Sequence, residues 1–130
     1  MQRLMLELGY TISDKTMQQQ TTAYIQSKTS MLIVSEIEGG GLTGLIAGHL
    51  IPLIHQAGNV GRITALVVPV EFQKQGVGSA LVEAIESWFL KNNCLRFEVT
   101  SGEHREAAHH FYKARGYISD EHRFIKQGAT

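Results

Sequence analysis

The chain has 130 residues, 43% hydrophobic and 18% charged, the balance of one ordinary globular domain over residues 1–130 with enough length to bury a core. Its 12 basic residues match its 12 acidic ones, which removes the electrostatic case for nucleic acid or an anionic membrane as a partner. A single cysteine excludes an internal disulfide and fits a reducing compartment; no apolar run reaches the ~18 residues of a membrane span, so the cytoplasm is the expected location.

Residues 2–8 read as a short helix or the end of one, stopped near Gly9, and Glu7 and Gly9 interrupt the apolar stretch too early for a signal peptide. Ser13 or Asp14 can cap a second helix running to about Lys28, with Met17, Thr21, Tyr24 and Ile25 on one face. That helix is polar overall and is expected at the surface. Met31–Glu38 predicts a strand, the glycines of 38–41 a turn, and Leu42–Ile54 a second strand paired antiparallel with the first. Gly44 and Gly48 signal a bend or a close contact, and Pro52 belongs at an edge or beyond the strand's end. A loop at His55–Gly61 leads to a third strand at 62–68. The helix predicted over 76–91 carries Val77, Ala80, Leu81, Ala84, Ile85, Trp88 and Phe89 at the i, i+3, i+4, i+7 spacing of a face laid on a core. Cys94, just before a strand at 95–100, is expected to pack rather than react. A helix at 104–115 and a closing strand around His122–Lys126 complete the chain.

Between the third strand and its helix stands Gln73-Lys74-Gln75-Gly76-Val77-Gly78. Glycine lets a backbone approach a ligand closely, and the first turn of a helix leaves N–H groups unpaired, which makes an anion site suited to phosphate or pyrophosphate. The dinucleotide fingerprint is excluded because Leu81 stands where its third glycine is required, and no Gly-Lys-Ser/Thr string exists for a nucleotide-triphosphate loop. The pattern left is Gln-x-x-Gly-x-Gly between strand and helix. The run LVVPVEFQKQGVGSALVEA that contains it resembles the acyl-CoA-binding motif of the GNAT acetyltransferase superfamily, which reads Q/R-x-x-G-x-G/A at this junction. A second block, His104 to Tyr117, resembles that family's C-terminal helix, whose pattern ends F/L-Y-x-x-x-G-F/Y; here those positions are Phe111, Tyr112, Gly116 and Tyr117. Gly116 falls where a left-handed helix stop is needed. The resemblance covers roughly residues 30 to 127.

The resemblance implies an α/β (α+β) fold: a mixed, mostly antiparallel sheet with a splayed parallel pair at about 62–68 and 95–100, flanked by helices. It implies an N-acetyltransferase that moves an acetyl group from acetyl-CoA, its co-substrate, to a primary amine by direct transfer in a ternary complex, with no metal. Leu66, Val67 and Val68 would give the pantetheine arm the backbone hydrogen bonds that the splay leaves unmade. Lys74, Gln75, Gly76, Val77, Gly78 and Ser79 would hold the pyrophosphate, and a backbone N–H near Val68 would polarise the thioester carbonyl. Arg105 stands where the family often has an asparagine that contacts CoA and could pair with a CoA phosphate; the alternative is a solvated helix-start residue. Tyr112 matches the tyrosine that serves as general acid near the sulfur, against the alternative of a core aromatic beside Phe111.

The base is less defined. Arg96, Glu98 and Thr100 share one face of their strand, so Glu98 could accept the amine proton or could instead be half of an ion pair; Glu103 and His104 are weaker candidates. Thr100 occupies the position at which some protein-acetylating relatives carry a glutamate, which disfavours their mechanism. Pro69 stands one residue earlier than the proline usual in the family, which bears on strand geometry at Val68. Members usually open with a strand, whereas this chain opens where the first helix would already be under way; its sheet edge would then be exposed, favouring a homodimer. Glu106-x-x-His109 has the spacing of half a carboxylate-bridged metal site, but the sequence has no second copy, and the six histidines are expected to be surface or supporting residues. The expected acceptor is a small amine or amino-acid derivative, with a protein N-terminus or lysine behind it. The reading from another class is an acyl-CoA-binding module without catalysis.

Overall fold

A computed structural model describes residues 14–39, 41–99, 106–119 and 124–128. The expected helix over 2–8 lies outside them. Two compact units form, Met1–Thr100 and Ser101–Thr130.

In the first unit, helix α1 (Asp14–Gln26) precedes strands β1 (Ser30–Glu36), β2 (Leu42–Pro52) and β3 (Asn59–Val67), then helix α2 (Val77–Lys91) and strand β4 (Cys94–Val99). The turn after β1 closes with the Ile37 N–H donating to the Gly41 carbonyl at 3.0 Å, and β1 and β2 pair antiparallel with Val34 opposite Leu45 and Ser30 opposite His49. β3 adds antiparallel to β2, and β4 adds parallel to β3, giving a mixed sheet in the order β1-β2-β3-β4. Parallel neighbours need a crossover, which α2 supplies.

α2 packs on one face of the sheet through Leu81, Val82, Ile85 and Phe89, all buried, with Ile46 and Ile63 fully buried beneath it. Bare glycines bring the helix this close. A Cβ on Gly48 would stand 2.4 Å from the Ile85 Cδ1, and one on Gly61 2.4 Å from the Phe89 Cγ. The buried stripe differs in part from the expected one. Ala80 and Ala84 are exposed, and Val82, which the i, i+3, i+4 spacing passes over, is fully buried. On the opposite face Leu45 and Val67 pack with Leu32, Leu42 and Ala65. There α1 meets the sheet through the Tyr24 ring, 5.0 Å from that of His49.

β3 carries a bulge. Ala47 pairs with Ala65 and Gly48 with Ile63, which leaves Thr64 as the extra residue. Cys94 opens β4 as a buried thiol, its pKa pushed up by that burial, in keeping with packing rather than reactivity.

The second unit contains helix α3 (Glu106–Ala114). The closing strand expected around His122–Lys126 is not formed over the described part: residues 124–128 lie in no strand, and Phe124 and Ile125 are 97% and 66% exposed. With neither apolar side chain buried, a ladder there has no packed face to reinforce it.

Candidate active site

The bulge sits where β3 and β4 part. Their parallel pairing runs from Asn59 opposite Cys94 to Ile63 opposite Val99. Thr64 follows at once, and β3 continues to Val67 with Leu66 opposite Ile46 and Val67 opposite Leu45 on the β2 side. Among the described residues, Thr64–Val67 have no β4 register partner. This register is that of the splay expected of the parallel pair, and among the described residues it leaves that edge of β3 without a strand partner.

The chain then turns in a short stapled loop. Pro69, fully buried, caps a 3₁₀ turn at Val70–Phe72 with φ −54° and ψ 149°, so β3 ends at Val67 and Val68 is the hinge residue. The Phe72 N–H donates to the Pro69 carbonyl at 2.9 Å. Two glutamine amides brace the rest of the loop: Gln73 Nε2 donates to the Val68 carbonyl at 2.9 Å and Gln75 Nε2 to the Glu71 carbonyl at 3.0 Å. Gln73 thus ties the strand's end to the loop. It is the first residue of the motif, and its amide suits a brace as well as a ligand contact.

Lys74 and Gly76 both take left-handed conformations, at φ 62° and 83°. Gly76 is the N-cap of α2, with no side-chain cap and no acidic residue in the first turn. The helix-opening peptides of Val77, Gly78 and Ser79 therefore carry the positive end of the helix dipole without a neighbouring carboxylate from their own turn. A Cβ on Gly76 would meet no described atom within 4 Å, so the space beside the loop is open. Open backbone, an exposed Lys74 and an uncapped helix start fit a pyrophosphate-bearing ligand, and the unpartnered edge at Leu66–Val67 fits an amide-bearing arm.

The other expected residues divide. Arg105, Thr100, Glu103 and His104 lie outside the described residues. Glu98 is held by two guanidinium groups: Arg62 Nη2 to Oε1 and Arg96 Nε to Oε2, each 2.9 Å. The Arg62 hydrogen bond chiefly, with help from Arg96, keeps its carboxyl below the usual glutamate value. The geometry is that of the ion-pair alternative, and an ionised carboxylate with both oxygens engaged is a weak base. Tyr112 is buried in α3, its ring edge-on to Phe111 at 5.2 Å and to Tyr117 at 5.5 Å. Gly116, at φ 92°, ends that helix as expected: the Tyr117 N–H donates to the Tyr112 carbonyl at 3.0 Å and the Gly116 N–H to the Lys113 carbonyl at 3.1 Å. That double closure, with the accompanying ring contact, fixes the Tyr112 ring.

Sequence reasoning missed a polar cluster on the α1 face. The Tyr24 hydroxyl bonds His49 Nε2 at 2.8 Å and Thr64 Oγ1 at 3.0 Å, and Ser30 Oγ bonds His49 Nδ1 at 2.8 Å. These residues come from four separate elements, so no local spacing announces them. Among the described residues no group of three His, Cys, Asp or Glu could hold a metal ion, and no helix is long and apolar enough to cross a membrane.

The sequence profile of the Acetyltransferase (GNAT) family matches residues 2–117. The aminoalkylphosphonate N-acetyltransferase of Salmonella typhimurium is 30% identical over 90 residues, which cover 69% of this chain and 58% of that protein; the match spans little over half that relative's length. Among solved structures, a GNAT family acetyltransferase from Staphylococcus aureus superposes with a TM-score of 0.80 at 24% identity, covering 97% of this chain and 85% of that one. An aminoglycoside acetyltransferase from an uncultured soil metagenomic sample, solved with sisomicin, gives a TM-score of 0.78 at 17% identity, over 98% and 84% of the two chains. At those identities the likeness is one of fold.

Proposed function

Because this chain belongs to the Acetyltransferase (GNAT) family, we propose that it is an N-acetyltransferase that takes its acetyl group from acetyl-CoA and passes it directly to a small primary amine in a ternary complex. The observation that carries the reading is the junction at which β3 loses its parallel partner after Ile63 and runs, through the Gln73–Gly76 loop, into a helix start with no acidic residue in its first turn.

In this reading the β3 edge at Leu66–Val68 binds and orients the thioester arm, and the peptides from Lys74 to Ser79 hold the pyrophosphate. The Val68 N–H donates to the thioester carbonyl oxygen as the amine nitrogen bonds to its carbon. By its match to the family's tyrosine, and not by any placement of α3, Tyr112 is assigned the proton that sulfur takes when the carbon–sulfur bond breaks, a solvent proton then restoring the phenol. Arg62 and Arg96 set two positive charges against the one carboxylate of Glu98 on a partly exposed stretch of β3 and β4. That surplus suits an acceptor that carries its own acidic group. An aminoalkylphosphonate, the acceptor named for the Salmonella relative, is the first such amine to try.

The test is calorimetric titration with acetyl-CoA, using adenosine diphosphate and ATP as controls, followed by an amine screen read by release of free thiol. Micromolar, CoA-specific binding with thiol release on an amine supports the transferase. Binding with no release on any amine favours a binding module, and no binding by the folded protein removes the reading.

A further inference from the structure

A transferase of this kind must unload a proton from its amine, and Glu98, ion-paired through both oxygens, is poorly placed to take it. We propose that His49, acting through the Tyr24 hydroxyl, receives the proton that the acceptor amine sheds, a role that rests on the transferase reading above. His49 is then a positioning and relay residue, and Tyr24 is the group that meets the amine.

Three observations carry this. The first is continuity. Ser30 Oγ, His49, the Tyr24 hydroxyl and Thr64 Oγ1 form one hydrogen-bonded chain with links of 2.8, 2.8 and 3.0 Å. The second is that the chain closes in both directions. In one, Thr64 donates to Tyr24, Tyr24 donates to His49 Nε2, and His49 Nδ1–H donates to Ser30. In the other, Ser30 donates to Nδ1, Nε2–H donates to Tyr24, Tyr24 donates to Thr64, and Thr64 turns to the Ala47 carbonyl, 3.4 Å away. A chain satisfied both ways can move a proton without stranding a buried donor. The third is place. Thr64 is the bulge residue, immediately beyond the last β3 residue paired to β4 and just before the edge assigned to the thioester arm, and its side chain is exposed.

As the amine nitrogen bonds to the carbonyl carbon, its N–H breaks toward the Tyr24 oxygen while the Tyr24 proton passes to His49 Nε2. The phenol is restored, and the imidazole carries the charge. The groups facing His49 are Tyr24 from α1, Ser30 from β1, and Arg62 from β3, with Glu98 and Arg96 beyond Arg62 on β4. Burial, and then the Arg62 charge, hold the imidazole below its ordinary value of 6.5, so it stands neutral and receptive at pH 7 and sheds the proton readily afterwards.

The experiment measures kcat against pH under saturating acetyl-CoA, with aminomethylphosphonate or the best amine of the screen, for the wild type, His49→Gln, Tyr24→Phe and the double variant. The wild type should lose rate on an acid limb below pH 6.5. Each single variant should lose that limb and about 100-fold or more in kcat. The double variant should be no slower than either single one, and acetyl-CoA affinity by calorimetry should stay within about twofold throughout. A His49→Gln protein that keeps the wild-type kcat and acid limb overturns the relay while leaving the transferase standing. Should that variant fail to fold, Tyr24→Phe, which retains the aromatic ring, decides alone by the same two readouts. If the wild type binds no acetyl-CoA or releases no thiol with any amine, the transferase reading falls first and the relay falls with it.

Discussion

Gly76 separates two effects that usually act together. Its φ of 83° is one that a side chain resists, yet a Cβ there touches no described atom within 4 Å. Gly76→Ala should therefore cost about 1–2 kcal/mol of backbone strain while leaving acetyl-CoA binding measurable. Gly76→Glu adds a carboxylate at the positive end of α2, and should abolish binding in the same calorimetric titration. Equal losses in the two variants would mean that strain, not charge, decides. Tyr112 gives a complementary case. Tyr112→Phe keeps both edge-on ring contacts and the backbone closure at Gly116, so the fold should hold. Turnover should fall at unchanged acetyl-CoA affinity, and an unaltered kcat would return Tyr112 to packing. Gly76 was legible in the sequence because it belongs to a local pattern with a backbone cause, whereas Tyr112 was singled out only by its match to the family's pattern. His49 was not, since its bonding partners stand 19 and 25 residues away in the chain and nothing local marks them.

At the scale of elements, the seat of α2 on the sheet depends on missing side chains. Gly61→Ala would drive a methyl to 2.4 Å from the Phe89 ring, with three ring atoms inside 2.7 Å, in a side chain that has no exposed surface to retreat to. Gly48→Ala meets the Ile85 Cδ1 at the same 2.4 Å, in a side chain just as buried, but there a single terminal methyl, the far end of a flexible chain, is the one atom closer than 3.0 Å. Overpacking of this kind costs about 1–3 kcal/mol, and urea unfolding should place Gly61→Ala at or above the upper end and Gly48→Ala near the lower. A reversed order would mean that the helix shifts as a body instead of the ring resisting. The same packing explains what the sequence showed of this region. The strand at 62–68, the loop after it and the helix at 76–91 were readable because turn residues and apolar spacing are local signals, although β3 starts earlier, at Asn59, inside the loop expected at His55–Gly61. The burial of Val82 was not, because which flank of a helix is covered is set by the sheet beneath it and not by the helix's own spacing. Nor was the bulge at Thr64, since a bulge is a disagreement in length between two strands and neither one records it alone. Over its described part, residues 124–126, the strand expected near His122–Lys126 does not form, and Phe124 and Ile125 are left exposed rather than packed.

Across the first unit, one guanidinium links the sheet's stability to its acid response. Arg62 bonds Glu98 directly and lies opposite His49 in the β2–β3 register, and it contributes to holding both groups below their ordinary values. Each group binds a proton less readily in the folded protein than in the unfolded chain. Their contribution to stability is therefore complete above the ordinary values, 6.5 for the imidazole and 4.5 for the carboxyl, and is lost as pH falls through the lowered ones. Urea unfolding measured from pH 8 downward should be level at first, decline gently below 6.5 as His49 is forced to charge beside Arg62, and decline again below 4.5 as Glu98 is neutralised. Arg62→Gln removes the main cause of the Glu98 shift and the secondary cause of the His49 shift. That variant should be less stable at neutral pH yet lose less on acidification, most visibly below 4.5, while the His49 step shrinks only in part because burial continues to act on the imidazole. Parallel curves for the two proteins would show that Arg62 carries neither shift, and would leave the acid response to groups elsewhere in the chain.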